Sequence, residues 1–101
     1  MIISGGQNVY STEVERVIGQ LPGVAEVAVV GMPDDLWGER VTAVVVRKPD
    51  TDLSGQTVIA ACRDRLAGYK SPKEVRFWDE LPKNVLGKIL KRDIRAALLR
   101  S

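Results

Sequence analysis

Apolar residues along the chain follow two alternating spacings. Val14, Val17, Ile18 and Leu21 fall at i, i+3, i+4 and i+7, which puts them on one face of a helix. Thr12, followed three residues later by Glu15, fits a capping box, and Pro22-Gly23 stops the helix. Val24–Met32 and Arg40–Lys48 are nearly continuous valine-rich runs, which predicts strands covered by helices on at least one face. Between them, Pro33–Glu39 reads as a polar loop longer than a tight turn. Pro49–Asp52 is a turn, and Ser54 caps a second helix that carries Val58, Ile59, Cys62 and Leu66 and ends at Gly68. In Glu74–Trp78, Val75 and Phe77 share one side, as in a third main strand. Leu90, Ile94 and Leu98, at i, i+4 and i+8, predict a last helix. At the start of the chain, Ile2-Ile3 reads as the end of a short strand and Ser4-Gly5-Gly6-Gln7-Asn8 as a loop.

The order helix, strand, strand, helix, strand, helix predicts a small α+β domain. Its expected form is a three-stranded, mostly antiparallel sheet with about three packed helices. A length of 101 residues fits one such unit. The apolar triplet opening directly into Gly5-Gly6 reads like the interior of a longer chain, so residues 1–101 are expected to be a domain cut from a larger protein.

Composition narrows the chemistry. With one cysteine and no histidine, an internal disulfide, a His/Cys metal site and a His-based triad are excluded. No metal site is expected from the carboxylates Asp34-Asp35 or Asp79-Glu80, which read as surface. The cysteine usage suits a reducing cytoplasm. No stretch approaches the ~20 apolar residues of a membrane span, and the start lacks a signal peptide's basic n-region. The charge is unevenly distributed. From Leu81 onward Lys83, Lys88, Lys91, Arg92, Arg95 and Arg100 face Asp93 alone. That is a net +5 in a chain of net +2, which leaves Met1–Glu80 at −3. An anionic partner should therefore be sought at the C-terminal end. Nucleic acid is not expected, because the basic cluster lacks interleaved exposed aromatics.

The candidate residues are few. Lys88 follows Gly87, ends the turn-forming segment that holds Pro82, Asn84 and Gly87, and precedes the last helix. Spacing alone leaves open whether it is a solvated cation or a charge presented to a phosphate. Gly5-Gly6 can bring backbone amides close to a ligand or can simply form a turn. Trp37 can line an apolar channel, anchor an interface, or pack as a core or rim aromatic. Lys70 and Lys73, flanking Pro72, are possible phosphate contacts or a solvated pair. Cys62 lies on an apolar helix face and reads as core.

Taken together, ISGGQNVYSTEVE, GMPDDLWGERVTAVVV and YKSPKEVRFWDELPKNVLGKILKRDIR resemble, in this order, the C-terminal domain of adenylate-forming enzymes. Within that superfamily the chain is most similar to fatty-acyl-CoA and aryl-CoA ligases, and the resemblance covers nearly all of it. Ser11 stands where the family usually has proline. The resemblance implies that a large N-terminal domain, absent here, binds ATP (with its Mg2+) and a carboxylic acid, and that Lys88 serves adenylation. After a rotation, Ser4, Gly5, Gly6, Gln7 and Asn8 would line the pantetheine channel of CoA, with Lys70 and Lys73 possible contacts to CoA phosphate. The 101-residue chain alone is then expected to be inactive. The alternative is a stand-alone interaction or regulatory module that docks on a separate ligase or adenylation domain.

Overall fold

The computed structural model describes residues 1–100. In chain order the elements are β1 (Ile2–Ser4), β2 (Gln7–Val9), α1 (Ser11–Gly19), β3 (Val24–Asp34), β4 (Gly38–Arg47), α2 (Gly55–Arg65), a 3-10 turn (Gly68–Lys70), β5 (Glu74–Phe77) and α3 (Lys91–Arg100). The expected α+β architecture with three helices is present, but the sheet has five strands rather than three. The difference arises at the chain start. Gly5 and Gly6 adopt φ of +59° and +79°, the left-handed pair that closes a two-residue hairpin. Ser4 and Gln7, read from sequence as loop, are paired strand residues on either side of it.

β3 and β4 form the long antiparallel ladder, from Val24 opposite Arg47 to Asp34 opposite Gly38. The connection is only Asp35-Leu36-Trp37, tighter than the loop expected from sequence. The Asp34 carboxylate closes it by accepting hydrogen bonds from the Leu36 and Trp37 amides, both at 2.9 Å. Gly38 completes the turn at φ +80°. β5 runs parallel to β4, with Thr42 to Val45 opposite Glu74 to Phe77, while β1 meets β4 at Gly38.

The valine runs are continuous because both faces of the ladder are buried. Val29, Val41, Ala43 and Val45 pack with Val14 and Ile18 of α1 and Val58 and Cys62 of α2. Ala28, Val30, Met32 and Val44 point the other way, against Ile94 and Leu98 of α3 and Leu81. Cys62 is core, as read, and burial pushes its thiol up.

α1 starts two residues earlier than the capping-box reading places it, at Ser11 with Tyr10 as the cap residue and no side-chain cap bond. Glu15 has better partners than the helix end. Its Oε2 accepts the Val29 N–H at 2.8 Å on the outer edge of β3 and pairs with Lys91 Nζ at 2.9 Å. Lys91 also donates to Ser11 Oγ at 3.1 Å. One carboxylate thus covers an unpaired strand edge and ties α3 to α1 around it. By contrast Ser54 caps α2 as expected, accepting from the Thr57 amide at 3.2 Å. Replacing Glu15 by alanine would strand the amide of the fully buried Val29. A loss of about 1–3 kcal/mol is expected, read as a lower urea midpoint at unchanged slope.

Candidate functional site

The sequence candidates fall into two groups, at opposite ends of the β3–β4 ladder.

At the Asp34–Gly38 end two turns dock on each other. The Gly5 amide donates to the Trp37 carbonyl at 2.8 Å. A Cβ built on Gly5 would lie 2.8 Å from Trp37 Cε3, so only glycine lets the indole lie against the β1–β2 turn. Lys73 Nζ sits 4.8 Å from the centre of the Trp37 ring, within cation–π range. Its amide is fixed to the Val41 carbonyl at 2.8 Å. Gly5, Gly6, Gln7 and Asn8 are exposed, whereas Ser4 is buried in β1. The available surface is therefore the turn and the start of β2, bordered by Trp37 and Lys73. Lys70 lies close by but is engaged: its ammonium pairs with Glu13 at 2.8 Å, and that hydrogen bond holds its pKa above the ordinary value. The sequence raised Trp37 only as a lone aromatic. Its contact with both Gly5 and Lys73 joins residues far apart in the chain, and no local spacing encodes that.

This end is braced by Glu74, whose carboxylate takes Arg40 Nε at 3.0 Å and Arg76 Nε at 2.8 Å. Arg40 continues to the Pro33 carbonyl and Asp34 at the root of the hairpin. Desolvation raises the Glu74 pKa, but the hydrogen bonds from the two guanidinium groups outweigh it and hold the carboxyl below its ordinary value.

Lys88 belongs to the other end. Residues 84–88 form a tight turn organised by Asn84. Its Oδ1 accepts from the amides of Leu86 at 2.9 Å and Lys88 at 3.0 Å. Its amide donates to the Lys88 carbonyl, and its own carbonyl accepts from Gly87, which sits at φ +83°. A bridge between Lys83 and Ile89 closes the stem, and Lys83 Nζ reaches Glu26, near the start of β3, at 2.6 Å. Lys88 therefore stands at the end of a turn three residues ahead of α3 rather than on the helix itself. Five lysines lie between residues 70 and 91. Four have partners: Lys70 with Glu13, Lys73 over Trp37, Lys83 with Glu26 and Lys91 with Glu15. Lys88 is exposed, and among the described residues its ammonium has no partner. No group of three or more His, Cys, Asp or Glu among the described residues is placed to hold a metal ion. Among those residues no helix is long and apolar enough to cross a membrane.

The family model described as the AMP-binding enzyme C-terminal domain matches residues 13–88, and so ends on Lys88. The chain belongs to this family. As an AMP-binding enzyme C-terminal domain it is 50% identical over 100 residues to the indoleacetate–CoA ligase of Aromatoleum aromaticum, covering 99% of this chain and 20% of that protein. It is 52% identical over 95 residues to the long-chain-fatty-acid–CoA ligase FadD13 of Mycobacterium tuberculosis, covering 94% and 19% respectively. Among solved structures, a Mycobacterium tuberculosis fatty acyl CoA synthetase superposes with a TM-score of 0.92 at 50% identity, over 96% of this chain and 19% of that one. The domain thus spans about one fifth of the relatives it matches.

Two outcomes follow from this geometry. Gly5→Ala forces a side chain into a left-handed backbone and into the indole. It should cost about 1–2 kcal/mol and shift Trp37 emission in a Trp78→Phe background. Gly6→Ala, with nothing within 4 Å of its Cβ, should destabilise without the emission shift. The second concerns pH. A carboxyl depressed by folding contributes stability that is full above its unfolded value and lost as pH falls through the folded one. Urea midpoints taken from pH 6 to 3 should therefore fall less for Glu74→Gln than for the wild type.

Proposed function

We propose that this chain is the mobile C-terminal domain of an acyl-CoA ligase and that it carries Lys88 into the adenylation step. The observation behind this reading is the Lys88 turn: a hydrogen-bonded turn whose one cation has no partner among the described residues, while the four neighbouring lysines do.

The chemistry proceeds in two halves. A carboxylate oxygen of the acid attacks the α-phosphorus of ATP, the bond to the bridging oxygen breaks, and pyrophosphate leaves as the acyl-adenylate forms. Carboxylate and α-phosphate are both anionic, so their approach and the charge gathered on the phosphoryl oxygens oppose the step. An ammonium held beside them offsets that charge, and because the turn is already organised no ordering is required at the moment of reaction. In this reading the large domain holds ATP, its accompanying Mg2+ and the acid. In the second half the CoA thiolate attacks the acyl carbonyl, the bond to the adenylate oxygen breaks, and AMP leaves.

The surface around Gly5 to Asn8, Trp37 and Lys73 suits that second half. A narrow pantetheine arm needs a wall without bulky side chains, which Gly5 and Gly6 supply, and an apolar flank, which Trp37 supplies. Lys73 has no carboxylate partner among the described residues and can meet a CoA phosphate, whereas Lys70 is already paired with Glu13. Because the two surfaces sit at opposite ends of the ladder, one active centre can use both only if the domain turns between steps. The domain alone, lacking the ATP and acid sites, is inactive in this reading.

The test separates the halves in a full-length ligase carrying this domain. Lys88→Ala should slow pyrophosphate release from acid and ATP by a factor on the order of 10² to 10³. Thioester formation from supplied acyl-adenylate should stay within about twofold. Equal losses in both halves would remove Lys88 from the assigned role.

A further inference from the structure

The Lys88 turn carries a second feature that adenylation chemistry does not require. Val85 and Leu86, at its tip, are 101% and 88% exposed. Every other aliphatic residue from Leu81 to Leu98 is buried or half-buried. This exposure is imposed by the fold. Asn84 fixes the turn from within, and the Lys83–Ile89 bridge, the Lys83–Glu26 pair and the bond from the Leu90 amide to the Pro82 carbonyl fix its stem. The pair cannot fold back onto the α3-side core. Two bare aliphatics on a rigid projection are held out of their own domain and ready for another surface.

We propose that Val85 and Leu86 are a docking element that seats in an apolar recess of the ligase's large domain, beside its nucleotide site, during adenylation. This rests on the reading of Lys88 given above. Three observations favour that occupant. The domain is about a fifth of its relatives' length, so a tethered partner of four times its size is available at high effective concentration. The unpartnered Lys88 lies two residues from Leu86, so the covering surface must place an anion close to its apolar wall, as a nucleotide site does. A second copy fits poorly, because a two-fold contact through the tips would bring the two Lys88 ammonium groups together. Since the contact exists only while the turn is docked, it shifts the domain's equilibrium toward the adenylation arrangement. In the thioester arrangement the two side chains return to water.

The experiment uses the full-length ligase carrying this domain, with the half-reactions assayed separately. Val85→Asn/Leu86→Asn should lower adenylate formation roughly tenfold or more, since the apolar contact is lost, and leave thioester formation from supplied acyl-adenylate within about twofold. Leu86→Met should keep adenylation well above Leu86→Asn. Neither side chain packs within its own domain, so melting temperatures should be unchanged. Equal loss in both halves, or none, overturns the docking inference. So does a change of oligomeric state that tracks the loss, which would place a second copy on the tip. Lys88→Ala run in parallel separates the two ideas. If it cripples adenylation and the tip variant does not, only the docking inference fails. If it spares adenylation, the lysine assignment itself is wrong.

Discussion

The β3–β4 ladder is the constraint on which the rest of this domain depends. Ten paired positions, buried on both faces, leave little freedom in how α1, α2 and α3 are placed. The ladder also separates the two candidate surfaces. From Glu26, where Lys83 anchors the Lys88 turn, to Asp34, which closes the Trp37 hairpin, the strand runs roughly 27 Å. A unit this stiff cannot bring its two ends to one point by bending, so any use of both ends at one centre must come from moving the whole domain.

Ion pairs then decide which cations are free to act. In sequence the C-terminal basic run looks uniform. In the fold, Glu13, Glu15 and Glu26 each take one lysine, and Trp37 takes the face of another. Such partly exposed pairs contribute little to stability singly. Their larger effect is positional, since each fixes a turn or a helix end. Of the five lysines between residues 70 and 91, the one they leave over among the described residues is Lys88, on the turn organised by Asn84 and Gly87. A charge with no internal partner on a rigid mount is suited to a ligand elsewhere, because neither desolvation from a native pair nor ordering of a loop opposes binding.

Much of the architecture could be read from periodicity because each element buries a face with a regular repeat. Val14, Ile18, Val58, Ile94 and Leu98 are buried where the helical spacing places them, and Ser54 caps α2 by a local bond. What escaped the reading was set by partners distant in sequence or by turn geometry. Glu15 looks like a capping residue until Val29 and Lys91 are brought beside it. Gly5-Gly6 looks like a loop because neighbouring glycines mark any turn, and only the pairing of Ser4 with Gln7 makes it a hairpin. Pro33–Glu39 looks long because nothing local marks Pro33-Asp34 and Gly38-Glu39 as paired strand ends. At the sites, Lys88 was visible as a lysine after glycine, but its isolation was not, since that depends on where four other lysines find their partners.

The same contrast bears on why an apolar tip stands beside that lysine. A positive charge alone is a weak guide for a moving domain, because ions screen it over about 8–10 Å and any anion attracts it. Apolar contact acts only at short range and needs a matching shape. Placing Val85 and Leu86 next to Lys88 on one rigid turn requires both conditions to hold in the same place, an anion and an apolar wall. In the proposed mechanism this pairing would let the lysine dwell at the phosphates of a loaded active site and not at any acidic patch it meets. Exposed aliphatics carry an aggregation hazard in return, and two residues on a small, charged, tightly bonded turn keep that hazard low.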